Sequence, residues 1–437
     1  MPVESGSTHD AGSSGVRQTL AIVMANALEF FDFTAYTYFA VFIGRAYFPA
    51  YAPDRQLLLS LGVFGLGFLA RPAGALVLGL YADRAGRCAA MQLTMRLMGI
   101  GTALLALTPP HAAIGAMAPA LILLARLLQG FSMGGDVGLS ISYLYESSGA
   151  LRRGRTTSLL LVTQGCAGAM ACGFGYLASA SLAPDALQAW GWRLPFLFGL
   201  LIYPAACYLR HTLPETLPVH ARLPAGRAVL ATIRAHHGRD LLAAIGVMCG
   251  PIVTTAIVSH YMTTYGMHTL RLSVSSAMLA GVAGGLVAAA GALGAGLVYD
   301  RHRRLRLAVV PLCVLMLVVY PVFRWVGGGG VATLCAAVAL LTLLRVGASP
   351  LYLVLVPRSF PLPVRATSLS LCYGLATALF GGTTQYMVTW IIDRTGDTLA
   401  PAWYLLAANG LTLVAVCALL RRRVRHAEAP ARRPSAV

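Results

Sequence analysis

The sequence predicts an all-α membrane protein of about twelve spans, and three observations carry that prediction. Of 437 residues, 57% are hydrophobic and only 11% charged, against roughly 45–50% and about 25% in an ordinary soluble domain; the mean hydropathy is +0.71. So little polar surface cannot clothe a water-soluble globule, and the apolar side chains must face lipid or one another. The apolar residues also fall in runs of at least ~18, the length a helix needs to cross about 30 Å of hydrocarbon. Finally, the runs show no alternation, whereas the strands of a membrane barrel are alternating segments of ~10 residues.

In chain order the runs cover 19–44, 57–81, 89–109, 113–145, 157–182, 193–210, 240–266, 274–299, 307–326, 331–356, 366–392 and 401–420. The expected organisation is a tail over 1–18, a six-helix half over 19–210, a polar linker over 211–239, a second six-helix half over 240–420 and a tail over 421–437. All 33 basic residues are arginine, against 15 acids, for a net charge of +18. Nucleic acid is not the expected partner, because its recognition needs basic groups gathered on one soluble face. Here they sit in short clusters between apolar runs, where they face a lipid bilayer.

Those clusters set the expected orientation, since cytoplasmic loops are enriched in basic residues. Even-numbered connections and tails hold most of them, including Arg152, Arg153 and Arg155, Arg301, Arg303, Arg304 and Arg306, and Arg421, Arg422, Arg423 and Arg425. Both termini are therefore expected in the cytoplasm. No small-residue cleavage site follows the first run, so no removable signal peptide is expected. The nine cysteines lie singly, without C-x-x-C or His/Cys metal spacing, so neither a metal nor a cofactor is expected.

The connection after the second run reads Gly79-Leu-Tyr-Ala-Asp83-Arg84-Ala-Gly86-Arg87, and that after the eighth reads Gly296-Leu-Val-Tyr-Asp300-Arg301-His-Arg303-Arg304. Two copies half a chain apart fit parallel repeats about an axis along the membrane normal. An Asp here can cap a neighbouring helix end, while glycine permits close backbone approach. The first copy resembles the G-x-x-x-D-R-x-G-R signature of the major facilitator superfamily, which implies two six-helix halves and a gating role for these residues. In the second copy Arg303 replaces the signature's glycine, and a less tight loop is expected there.

A narrower resemblance covers about residues 20–420. Ala25-Asn-Ala-Leu-Glu29-Phe-Phe-Asp32-Phe, Gly67-Phe-Leu-Ala-Arg71-Pro72-Ala-Gly74, Arg126-Leu-Leu-Gln129-Gly130-Phe-Ser-Met-Gly134-Gly135-Asp136, Gly191-Trp192-Arg193-Leu-Pro195-Phe and Phe380-Gly381-Gly382 are similar to the metabolite–proton symporters, and in spacing most similar to their citrate–proton branch. The resemblance implies a secondary transporter of the cytoplasmic (inner) membrane that carries a small organic anion with a proton and works as a monomer. It departs from the citrate-like pattern at Leu160, Gly165 and Gly284, where polar amides are expected, and at Ala256 and Ile257, where an aromatic pair is expected.

A charge at membrane depth is costly, from ~3 kcal/mol upward, so intramembrane ionisable groups are the first candidates for function. Glu29, Asp32 and Tyr36 recur at three and seven residues on one helical face; the resemblance assigns the acidic pair to proton coupling, and capping or pairing with arginine is the structural alternative. Arg126, Gln129, Met133 and Asp136 share a second face, beside a Gly130, Gly134, Gly138 stripe read as packing. A guanidinium is always charged and forks toward carboxylates, so Arg126 suits either an anion or a titrating acid. By resemblance it joins proton coupling, with Asp136. Arg71 and Arg345 are further candidate anion ligands, and Gln164, His260, Tyr261, Tyr373 and Gln385 complete the expected cavity. Arg358 stands where the family commonly has an acid, so Arg358→Glu is expected to raise transport or leave it unchanged.

Efflux by proton antiport is the competing reading. Exporters of the superfamily carry Gly-Pro in the fifth span, and Gly165 to Gly175 contains no proline. A membrane enzyme or transport-derived sensor would need a catalytic motif or a signalling domain, and the spans hold no H-E-x-x-H, G-x-S-x-G or phosphate loop.

Overall fold

The computed structural model describes residues 8–148, 151–211, 226–360 and 362–428, which form helices and connections with no strand among them. The N-terminal half contains α1 (Thr8–Tyr38), the short α2 (Ala40–Tyr47), α3 (Pro53–Leu69), α4 (Arg71–Ala85), α5 (Arg87–Leu107), the single turn α6 (His111–Ile114), α7 (Met117–Ser147), α8 (Arg153–Ser181), the short α9 (Pro184–Ala189) and α10 (Leu194–His211). The C-terminal half contains α11 (Gly226–Thr254), α12 (Met262–His268), α13 (Val274–His302), α14 (Val309–Gly327), α15 (Val331–Gly347), the single turn α16 (Pro350–Leu353), α17 (Leu362–Ala376), α18 (Gly382–Thr395) and α19 (Ala400–Glu428). Nine helical stretches among the described residues are long and apolar enough to cross a membrane. Their outward faces carry large apolar side chains, such as Leu317 at 77% and Val414 at 68% exposed, as a lipid-facing surface requires.

Local sequence explains the breaks. Pro72 has no N–H to continue the helical ladder, and the second span divides at Ala70 into α3 and α4. Two π-helical turns interrupt other spans: Thr255–Tyr261 joins α11 to α12, and Thr377–Gly381 joins α17 to α18. Each opens with a threonine whose hydroxyl donates to the carbonyl four residues back, Thr255 to Pro251 and Thr377 to Tyr373, both at 2.7 Å. Such turns leave backbone irregular inside a helix and are common at functional sites.

Glycine sets how closely the helices approach. Gly67 lies back to back with Gly130, Gly74 faces the Phe131 carbonyl and Gly134 faces the Arg71 carbonyl, so a methyl at any of them would overlap the neighbouring backbone. The Gly130 and Gly134 stripe is therefore packing, as read from the sequence. Between the halves, α8 runs along α13 with Gly165 against Gly285; a Cβ on either would lie 2.6 Å from a backbone nitrogen of the other helix. Gly165 stands where the citrate-like pattern has an amide because this seam has no room for a side chain.

Polar contacts join the halves at both ends of this seam. Asp300 accepts the Gly154 and Arg155 backbone N–H groups at 2.7 and 3.0 Å, capping α8 from the opposite half. At the other end, His268 Nε2 lies 3.0 Å from Asp54 Oδ1. The Gly191-Trp192-Arg193 motif fastens the N-terminal half. Trp192 is buried edge-on to Tyr47, and Tyr47 and Arg193 both donate to the Thr108 carbonyl, at 2.9 and 3.0 Å.

Candidate functional site

A cavity lies between the halves, lined in part by Arg71, Gln164, His260, Arg345, Tyr373 and Gln385. Two guanidiniums thus reach it, one from each half. Arg71 follows the Ala70 break and is 2% exposed; its guanidinium lies 4.0 Å over the Phe68 ring and 4.6 Å over Phe33, and it interacts with the Tyr373 hydroxyl. Arg345 donates from Nη1 to Thr255 Oγ1 at 3.1 Å, on the first π-helical turn. It is 8% exposed, so it faces inward rather than reaching for the membrane surface. His260 sits on the same turn, 6.1 Å from the Tyr38 ring. Gln385 is 1% exposed, and neither of its amide atoms is hydrogen-bonded among the described residues. Buried amides ordinarily have partners, and this one is left open on the cavity wall.

The structure does not bring Tyr36, Arg126 and Gln129 to the cavity wall. They form a buried relay behind it. Arg126 Nη1 donates to Gln129 Oε1 at 2.8 Å, Gln129 Nε2 to Thr102 Oγ1 at 3.0 Å, and Thr102 Oγ1 to Asp32 Oδ2 at 2.7 Å. Every donor points from the cation toward the carboxylate, so α7, α5 and α1 are joined by one polarised chain. The Arg126 guanidinium lies 3.8 Å over the Tyr36 ring, whose hydroxyl donates to the Ser60 carbonyl at 3.1 Å. Gly199 backs Asp32, since a Cβ there would overlap Oδ1. Phe33 connects the relay to the cavity: its ring packs under Arg71 at 4.6 Å and under Arg126 at 5.3 Å. Thr102 was not among the candidates read from the sequence. Its signal is the recurrence of Thr94 and Thr102, eight residues apart on one face of an apolar span.

The remaining candidates lie elsewhere. Glu29 is fully buried on α1. Asp136 accepts hydroxyls from Thr94 and Ser140, both at 3.2 Å, and so ties α7 to α5 away from the cavity wall. Tyr261 accepts a hydrogen bond from Thr389 at 3.1 Å, holding the π-helical turn to α18. In the loop motifs, Gly86 has φ 105° and requires glycine, while a Cβ on Gly79 would meet nothing within 4 Å. The side chains of Asp83, Arg84 and Arg87 lie outside the described residues. Arg301 is exposed beside the Asp300 cap. Arg303 does not loosen its loop, contrary to the expectation from its missing glycine: it takes the left-handed conformation itself, φ 53°, and its N–H closes the end of α13 on the Tyr299 carbonyl at 2.6 Å.

Residues 18–241 match the family described as sugar (and other) transporter. A citrate-proton symporter of Salmonella typhi is 35% identical over 429 residues, covering 97% of each chain. The chain belongs to the major facilitator superfamily. A citrate-proton symporter of Klebsiella pneumoniae is 34% identical, covering 94% of this chain and 93% of its own. Among solved structures, the proton:xylose symporter XylE matches with TM-score 0.73 at 16% identity, covering 94% of this chain and 96% of its own. The human organic anion transporter MFSD10 matches with TM-score 0.65 at 18% identity over 93% of this chain and 99% of its own. At those identities the structural matches bear on the fold alone. As a major facilitator protein, the chain is a multi-pass transporter of the inner membrane and not an enzyme.

Within this superfamily fold, the departures from the citrate-like pattern divide by location. Leu160 and Ala256 line the cavity, where they replace polar and aromatic surface with smaller apolar surface. Ile257 is buried in a separate apolar cluster of the C-terminal half.

Proposed function

We propose that the protein is a proton-coupled symporter of a small organic anion, a di- or tricarboxylate of the citrate kind, working by alternating access. The observation that carries this reading is the pair Arg71 and Arg345, which bring one permanent positive charge from each half to a single cavity whose described lining includes no Asp or Glu. An anion bridging them draws the halves together, and its bidentate carboxylates match the fork of each guanidinium. The two named citrate-proton symporters, at 35% and 34% identity, support both the proton and the substrate class. The arginine-rich even connections support cytoplasmic termini, and completion of the cavity within one chain supports a monomer as the working unit.

Asp32 is the proposed proton carrier. With its carboxylate charged, the chain through Thr102 and Gln129 ends on Arg126 and the two charges compensate. Protonation removes the negative end, leaving Arg126 uncompensated on the Phe33 ring that it shares with Arg71. Proton occupancy is thereby felt at the anion site without a shared atom. The gradient contributes about 2.3 kcal/mol per charge per 100 mV of potential and about 1.4 kcal/mol per pH unit.

Counterflow of labelled citrate, succinate, α-ketoglutarate, shikimate and glycine betaine in proteoliposomes tests the reading. Tricarboxylate or dicarboxylate exchange with accumulation collapsed by a protonophore is expected. Accumulation untouched by the protonophore, or preferential exchange of glycine betaine, overturns it.

A further inference from the structure

A second hollow, an open groove, lies on the membrane-facing surface where the halves meet, between α3 and α18. Its walls are apolar: Leu58, Leu66 and Leu69 stand on one side and Tyr386 and Met387 on the other. Glycine shapes the floor. A Cβ on Gly65 would lie 2.6 Å from the Gly382 carbonyl oxygen, and one on Gly382 would lie 2.7 Å from that of Gly65, so the two backbones close the bottom of the groove. Gly62 leaves a gap in the wall, for a Cβ there would meet nothing within 4 Å. Leu66, Leu69 and Met387 are 42%, 57% and 37% exposed, so the groove opens toward lipid.

One end of this groove is polar. Arg55 and Tyr51 line it there, Arg55 in the first turn of α3, and Arg55 makes no hydrogen bond or ion pair among the described residues. From Arg55 to Leu69 the groove descends ~21 Å along the helix axis, which covers the ~15 Å of one leaflet's acyl chains. An unpaired cation and a tyrosine at headgroup depth, above an apolar trough one leaflet deep, match the amphipathic profile of a phospholipid with an anionic headgroup.

We infer that this groove is a binding site for an anionic phospholipid, whose headgroup phosphate pairs with Arg55 and whose acyl chains lie on the Gly65 and Gly382 seam. The lipid touches both halves, α3 of one and α18 of the other, at the same end as the His268 and Asp54 contact. Opening the transporter at that end parts α3 from α18 and dismantles the site. A bound lipid therefore holds this end closed.

Native mass spectrometry of the full chain, purified in detergent and titrated with dioleoyl phosphatidylglycerol or dioleoyl phosphatidylcholine, tests the inference. The intact protein is expected to retain phosphatidylglycerol at a concentration at least ~5-fold lower than phosphatidylcholine. Arg55→Gln should abolish that preference, and Gly62→Trp, which fills the gap in the wall, should lower retention of both lipids. Thr383→Trp fills the groove from α18 and repeats the test should Gly62→Trp fail to fold, with thermal melting as the control. Equal retention of the two lipids by the unmodified protein, or a preference that survives Arg55→Gln, overturns the anionic assignment. Undiminished retention in both folded tryptophan variants overturns the site, because lipid bound loosely around the perimeter is insensitive to them.

Discussion

Gly86 and Arg303 stand at the same place in the two loop repeats, and both have positive φ, 105° and 53°. The repeat preserves the sign of φ but not the backbone shape: ψ is 156° at Gly86 and 20° at Arg303, so only Arg303 takes the left-handed helical conformation. A left-handed non-glycine residue costs roughly 1–2 kcal/mol, so Arg303→Gly is expected to stabilise the protein by about 1 kcal/mol. Gly86→Ala should destabilise it by about 1–3 kcal/mol, because the backbone there lies in a region essentially confined to glycine. Thermal or denaturant melting of the purified protein measures both.

Arg345 and Arg71 are expected to act as a pair on the anion. Arg345→Gln should raise the half-saturating concentration for citrate counterflow at least ~10-fold while leaving the melting temperature close to its original value, since its hydrogen-bond acceptor, Thr255, is a neutral hydroxyl. Full affinity after Arg345→Gln and Arg71→Gln together would remove the assignment.

Asp32→Asn should separate exchange from accumulation. The relay keeps its hydrogen-bond geometry, so counterflow persists, but no proton is carried and uphill uptake driven by a pH gradient falls to the equilibrium level. Thr102→Val interrupts the chain between Asp32 and Gln129 and should reproduce part of this loss. Uptake against a gradient, measured in proteoliposomes with and without an imposed pH step, distinguishes the two; retention of full accumulation in Asp32→Asn would exclude it as the carrier.

Asp300 serves as a cap supplied by the opposite half. Loss of a side-chain cap costs about 1 kcal/mol, here charged to the state in which that end is closed, so Asp300→Ala should raise the open population there ~5-fold. Alkylation of a cysteine placed at Ser158, in an otherwise cysteine-free background, reads the change.

Arg358 reverses the sign of an expectation drawn from the family pattern. Its guanidinium lies 5.9 Å from the Tyr299 ring, next to the Asp300 cap. A glutamate at this position would set a negative charge on the negative face of the ring and near a second carboxylate. Arg358→Glu is thus expected to lower initial uptake rates by two- to fivefold, whereas Arg358→Lys should retain most of the rate.

Membrane class and the half-chain repeat were legible because they depend on local quantities. Hydrocarbon thickness dictates the length of an apolar run, and hydropathy reports it residue by residue. The glycine stripe at Gly130 and Gly134 was readable for the same reason, since close helix approach demands small side chains at helical spacing. Arg71, Gln164, His260, Arg345, Tyr373 and Gln385 could be singled out as polar groups at membrane depth.

Tertiary structure alone decided how those groups divide. Helical periodicity places Arg126 and Gln129 on one face of α7 without saying which neighbour that face meets. The fold turns it toward Thr102 and Asp32, behind Phe33, and reserves the cavity for Arg71 and Arg345, which are far apart in the chain. The same holds for Gly165, where an amide was expected: the residue answers to Gly285 on α13, a partner 120 positions away. A side chain's burial cost is written in its own chemistry, but the charge or backbone that compensates it is supplied by another helix, and only packing brings the two together.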